Sequence, residues 1–126
     1  MDIEQLGYTI IGCAIEAHKT LGGCGLLESV YEDALCYELT ANGLSFERQV
    51  VLPVRYKQAI LPGTLKLDLF IERKVVVECK STIQYNPVFE AQLLTYLRLC
   101  QVNLGYVINF GEPIIKNGIH RVVNRL

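Results

Sequence analysis

No Cys-x-x-Cys pair occurs among Cys13, Cys24, Cys36, Cys79 and Cys100, and the cysteine count is odd. Both features argue against a disulfide framework and fit reduced thiols. Four of the five lie within expected helices or strands, where cysteine acts as a small hydrophobe. Cys24 sits in the loop Gly22-Gly23-Cys24-Gly25 and is the one expected at the surface, with no base nearby in sequence to activate it. Histidine is equally unhelpful to a metal site, since neither His18 nor His120 has a partner at ligand spacing. An excess of positive charge is also missing. The formal charge of −1 argues against broad electrostatic binding of nucleic acid and leaves only a local basic surface from Arg98, Lys116, Arg121 and Arg125, should the fold bring them together. Low-complexity runs and internal repeats are absent. Charges interrupt the apolar stretches well short of a membrane span, and the acidic start Met1-Asp2-Ile3-Glu4 does not read as a signal peptide, so no membrane contact and a cytoplasmic location are expected.

What is present describes a compact domain. Half of the 126 residues are apolar and a fifth are charged, which suits one domain over residues 1–126 with a substantial core. Asp2 is a candidate N-cap for a helix to about Leu21, with Ile3, Leu6, Ile10, Cys13, Ala14, Ala17 and Leu21 as its apolar stripe. A second helix is expected from about Leu27 to Ala41, with Leu27, Val30, Tyr31, Ala34, Leu35 and Leu39 at helical spacing and Asn42-Gly43 as its stop. Leu44–Val51 and Leu52–Tyr56 read as two strands, with Pro53 marking an edge or a bulge. Asn86-Pro87 opens a third helix to about Cys100, on which Gln92 and Tyr96 share a face. Leu104–Phe110 reads as a buried strand, and Lys116-Asn117-Gly118 as a turn between Ile114-Ile115 and Ile119–Val123. A strand, helix, strand crossover around the third helix implies parallel strands, hence a mixed sheet flanked by helices.

Chemistry concentrates in a hairpin of Thr64–Ile71 and Lys74–Lys80. Glu78 and Lys80 are two apart and share a strand face, while Cys79 points the other way. If Glu72-Arg73-Lys74 forms a three-residue loop, Ile71 faces Val75, Leu69 faces Val77 and Leu67 faces Cys79, making one apolar face. The other face then sets Asp68 across from Glu78, with Lys80 beyond. A two-residue turn mixes polar and apolar side chains on both faces and is disfavoured. Two opposed acids repel unless a cation lies between them. Few hard oxygen ligands suit Mg²⁺ or Mn²⁺ better than zinc, and Lys80 is placed to polarise a water or stabilise charge on a phosphate. The plainer alternative is a solvated polar face on which Lys80 neutralises one acid.

The segment Gly25-Leu26-Leu27-Glu28-Ser29-Val30-Tyr31 resembles the Gly-x-x-Glu-x-x-Tyr signature of the GxxExxY proteins, a group assigned to the PD-(D/E)XK nuclease superfamily. Ile15-Glu16-Ala17-His18, Glu90–Leu97 and Ile108-Asn109-Phe110-Gly111 resemble further blocks of that family, in the same order. The resemblance implies an α/β (α+β) fold with a restriction-endonuclease-like core. It implies a metal site of Asp68 and Glu78, helped by Glu28 and the Cys79 carbonyl, with Lys80 as the catalytic cation and Gln92 and Tyr96 flanking from the third helix. The proline that often precedes the Asp is absent, and the Gly22–Gly25 loop is one residue longer than is common.

A Mg²⁺- or Mn²⁺-dependent nuclease acting on DNA rather than RNA is the first functional expectation. A non-cleaving module of the same fold, binding nucleic acid, a nucleotide or a protein, is the alternative, favoured by the near-neutral charge. A homodimer or an accessory protein would supply the groove that so small a chain lacks. Each implicated residue also has an ordinary role open to it: Glu28 as helix-dipole partner, Tyr31 as core aromatic, Gln92 as sheet-edge cap, and His18 as a structural side chain.

Overall fold

The computed structural model describes all of residues 1–126. Two helices come first, α1 (Ile3–Thr20) and α2 (Glu28–Ala41), followed by strands β1 (Phe46–Tyr56), β2 (Ala59–Ile71) and β3 (Val75–Lys80). Helix α3 (Val88–Cys100) then leads to β4 (Leu104–Asn109), a short 3₁₀ turn over Ile115–Gly118, and β5 (Ile119–Val123). The five strands form one sheet in chain order, antiparallel except for β3 and β4, which run parallel across the α3 crossover. This is the mixed α+β architecture expected of a restriction-endonuclease-like core.

Helices α1 and α3 begin where a side chain takes up a free backbone N–H. The Asp2 side chain accepts from the Gln5 N–H, and the Gln5 side chain accepts from the Asp2 N–H, a reciprocal cap. Asn86 Oδ1 accepts from the Val88 N–H at 2.9 Å and opens α3. Helices α1 and α2 cover one sheet face through Leu6, Ile10, Tyr31, Leu35 and Leu39, packed on Leu69, Ile71, Val75, Val77 and Ile108. Helix α3 covers the other, with Leu93, Tyr96 and Leu97 on Phe70, Val76 and Val107. Gly105 makes the second packing possible, because a Cβ there would sit 3.0 Å from Leu93 Cδ2 and the Val76 carbonyl oxygen.

Four expectations need correction. The segments Leu44–Val51 and Leu52–Tyr56 are one long edge strand, and Pro53 sits at its register shift, where an edge has no ladder bond to lose. Ile114-Ile115 is not a strand; the partner of β5 is β4, which takes all five of its residues. Leu21, Leu27 and Val30 stand exposed, because the contact between the adjoining helix ends is made by the buried His18 and Tyr31 and not by these three. In the acidic hairpin, Ile71 faces Val75 and Leu69 faces Val77 as the three-residue loop requires, but Leu67 does not face Cys79. Leu67 packs with the α3-side cluster and Cys79 with the α1–α2 side, so the strand turns over between Leu67 and Leu69, at Asp68.

Candidate active site

That turn at Asp68 is a consequence of two side chains replacing the ladder. The Asp68 N–H donates to Glu78 Oε2 at 2.7 Å, and the Cys79 N–H donates to Asp68 Oδ2 at 2.8 Å. Regular β2–β3 pairing ends one residue earlier, at Leu69 and Val77. The neighbouring strand is irregular at the same level, since Gln49 has a φ of +50°. A fork therefore opens between β2 and β3, with each acid holding the backbone of the other strand and keeping its second oxygen free of backbone partners.

Burial makes this fork expensive to charge. Glu78 is buried, and burial first and the Asp68 charge second push its carboxyl up to about 8. Asp68 is raised by burial too, despite the opposing pull of the Cys79 N–H. Lys80 forms no ion pair with either acid. Its Nζ lies 4.5 Å from the centre of the Phe89 ring, so it is held by α3 and not by a carboxylate. The two acids thus lie in the fork without a salt bridge, and Lys80 draws both carboxyls down only through its charge.

Helix α2 contributes a residue that the motif spacing did not single out. Glu32 is buried, one turn after Glu28, and a carboxylate oxygen of Glu32, one of Asp68 and the Cys79 sulfur all lie within 4.8 Å of one another. Arg48 clasps Glu32 with Nε at 3.1 Å and Nη2 at 2.8 Å, and Gln49 Nε2 donates at 3.1 Å. Its i+4 spacing from Glu28 was the available signal. Glu28 itself stands exposed at the rim, its carboxyl raised by partial burial and drawn down by Lys80. Leu27, Glu28, Ser29, Glu32, Gln49 and Asp68 line an open cleft of about 520 Å³.

The signature segment positions that rim. Gly25 adopts a φ of +108°, and the Tyr31 hydroxyl donates to the Gly23 carbonyl at 2.5 Å while accepting from the Leu26 N–H at 3.2 Å. Ser81 Oγ donates to the Leu26 carbonyl at 2.7 Å, tying the start of α2 to the end of β3. On the far side, Asn109 is a second residue that spacing did not reveal: its buried amide accepts from the Thr82 and Gly111 N–H groups and donates to the Thr82 carbonyl. Gly111 is needed there because any Cβ would collide with the Thr82 backbone. His18 is structural, its Nε2 3.0 Å from the Glu112 carbonyl and its ring stacked on Tyr31 and Phe110.

A family model described as the PD-(D/E)XK nuclease superfamily matches residues 4–122. The chain belongs to that superfamily. Neither the curated proteins nor the solved structures gave a match. Nucleases of the PD-(D/E)XK superfamily typically use divalent metals, and the donor set here is compatible with one. Asp68, Glu78, Glu32 and Glu28 offer hard oxygens, and the raised Asp68 and Glu78 are groups that a cation would relieve. Zinc is a poorer match, because the set is mostly hard carboxylate oxygen, with Cys79 its one sulfur and no histidine in it. Tyr96 from α3 is buried close enough for Glu78 and Asp68 to raise its hydroxyl further after burial, with the Gln92 amide acting the other way. Asp68, Glu78 and Cys79 thus meet at the fork, with Glu28 and Glu32 from α2 and Tyr96 from α3 beside it, while Gln92 is exposed one turn before Tyr96 and touches that residue, not the fork.

Proposed function

We propose that this protein is a divalent-metal-dependent phosphodiesterase that cleaves DNA, in the GxxExxY branch of its superfamily, working in the cytoplasm. The observation that carries this reading is the pair Asp68 and Glu78, each fixed by a backbone N–H and neither neutralised by an ion pair. Asp68 and Glu78 hold Mg²⁺ or Mn²⁺, with Glu28 or Glu32 at the cleft side and the Cys79 carbonyl completing the set. That carbonyl shares the β2-facing edge with the Cys79 N–H, whereas the Lys80 carbonyl faces the other way and accepts from the Phe110 N–H. When bound, the ion supplies Lewis acidity and lowers the pKa of a coordinated water.

The remaining work falls to the chain. Lys80, free of any carboxylate partner, orients the attacking water and stabilises charge on the phosphate oxygens as the phosphorus–oxygen bond to the leaving strand breaks. The Phe89 ring holds the lysine's ammonium end, with Nζ 4.5 Å from the ring centre. Tyr96, backed by Gln92, holds the Glu78 side of the fork from α3 and positions Lys80 against the strand being cut.

Calorimetry with Mn²⁺ on the wild type, Asp68→Asn and Glu78→Gln, joined to a cleavage assay on linear and circular DNA, tests the reading. Binding by the wild type alone, with metal-dependent cleavage that Lys80→Ala abolishes, is expected. A folded wild type that neither binds metal nor cleaves DNA would replace this reading with the non-cleaving module.

A further inference from the structure

Beyond the fork, β1 and β2 continue as a two-stranded ribbon. Strand β3 pairs with β2 only at Leu69, Phe70 and Ile71, whereas β1 pairs with β2 as far as Tyr56 and Ala59. The residues from Val50 to Lys66 therefore form an arm with no third strand, resting at its base on the α3-side core through Val50, Leu52 and Leu65 and free beyond them. Its tip is exposed on both faces, with every residue from Arg55 to Thr64 open to solvent. A free two-stranded ribbon is marginal in water, and this one also exposes Val51, Tyr56, Ile60 and Leu61.

The charge on the arm is segregated from that of the rest of the chain. No acidic residue occurs from Arg48 to Leu67, while the arm carries Arg55, Lys57 and Lys66. The nine basic residues elsewhere are outnumbered by all thirteen acids, a balance of −4 against +3 on the arm. None of the three cations is in a salt bridge. The arm grows directly from β2, the strand that carries Asp68 into the fork.

We propose that the β1–β2 arm docks duplex DNA, entering the major groove and delivering a backbone phosphate to the Asp68–Glu78 fork; the phosphate-delivery part rests on the nuclease reading. A two-stranded ribbon matches the width of the B-form major groove, which admits such an element. The deep, narrow major groove of A-form RNA does not. Arg55 and Lys66 on one face of the ribbon and Lys57 at its tip pair with phosphates, and Ile60, on the face of Arg55 and Lys66, lies against the groove. This concentrates the phosphate-binding cations in one place on a chain of net charge −1 and explains why apolar side chains are tolerated at an exposed tip.

The test compares the wild type with Arg55→Glu/Lys57→Glu/Lys66→Glu, after circular dichroism shows both folded. Fluorescence anisotropy in metal-free buffer is read with duplex DNA, single-stranded DNA and duplex RNA over a salt series. Hydrolysis of a small chromogenic phosphodiester with Mn²⁺ is followed in parallel. Expected are tightest binding to duplex DNA by the wild type and, in the variant, a salt slope smaller by about 0.9 for each phosphate that is no longer neutralised. Reporter hydrolysis should be unchanged. Equal duplex affinity and slope in both proteins, or no duplex binding by the wild type, overturns the arm; equal wild-type affinity for duplex RNA or single strands overturns the major-groove assignment. Reporter hydrolysis separates the two ideas: hydrolysis without arm-dependent binding leaves the nuclease reading standing, and arm-dependent binding without hydrolysis leaves only the arm.

Discussion

The backbone N–H of Asp68 donates to the carboxylate of Glu78 at 2.7 Å, so one acid of the fork fixes the strand that carries the other. Asp68 returns the arrangement through the Cys79 N–H at 2.8 Å. Replacing either carboxylate therefore affects both the proposed ion and the local backbone. Asp68→Asn should weaken Mn²⁺ binding by at least the roughly 10–100-fold typical of lesser perturbations around a metal. Calorimetry reads this directly. Unchanged affinity in a folded variant would remove Asp68 from the ligand set.

Glu78 gives the metal-free protein an unusual pH dependence. Its folded-state carboxyl is raised from an ordinary 4.5 to about 8, so between those values the native state holds a proton that the unfolded chain has released. Stability falls as pH rises through that window, the reverse of a salt-bridged carboxylate. A tenfold difference in proton affinity corresponds to about 1.4 kcal/mol. Thermal melts in chelator should show a Tm that declines from about pH 5 to about pH 8, and Glu78→Gln should flatten the decline. Mn²⁺ affinity should rise over the same window, because binding must displace the proton.

Glu32 is the buried acid of α2 and already holds Arg48 and Gln49. Glu32→Ala leaves the Arg48 guanidinium with only Asp33 and should destabilise the protein by about 1–3 kcal/mol. Denaturant unfolding measures this. A fall in Mn²⁺ affinity as well would place Glu32 among the ligands, whereas lowered stability alone would assign it to Arg48.

Tyr31→Phe removes the hydroxyl that joins the Gly23 carbonyl to the Leu26 N–H. The ring still fills the core, so the cost should be only about 0.5–1.5 kcal/mol. Faster amide exchange at Leu26 is the sharper readout. Exchange unchanged from the wild type would show that the hydroxyl does not hold the loop.

Gly105→Ala should cost about 1–3 kcal/mol, since the added methyl meets Leu93, Leu97 and the Val76 carbonyl at 3.0–3.1 Å. Chemical denaturation tests it, and a neutral result would mean that α3 can move away from β4.

Much of this architecture is legible because local chemistry is strong. Asp2 with Gln5, Asn42-Gly43 and Asn86-Pro87 mark helix ends through hydrogen bonds made within a few residues. The crossover from β3 through α3 to β4 follows from element order, and the pairing of Leu69 with Val77 from the alternation of apolar side chains. Those signals fail where distant groups compete with the ladder. At Asp68, two carboxylates take the backbone hydrogen bonds, and the strand turns Leu67 to the other face.

Periodicity and capping act over short range, so the order of residues was enough to specify the three helices, the parallel crossover and the placing of Asp68, Glu78 and Lys80 on adjoining strands, but not the single edge strand β1 or the partner of β5. Packing in three dimensions was needed to set Lys80 over Phe89, to bring Glu32 beside Asp68, to lock Thr82 onto Asn109, and to extend β1 and β2 beyond the sheet as an arm. Each of these depends on which distant backbone or side chain meets a buried polar group first, and spacing along one chain does not encode that contest.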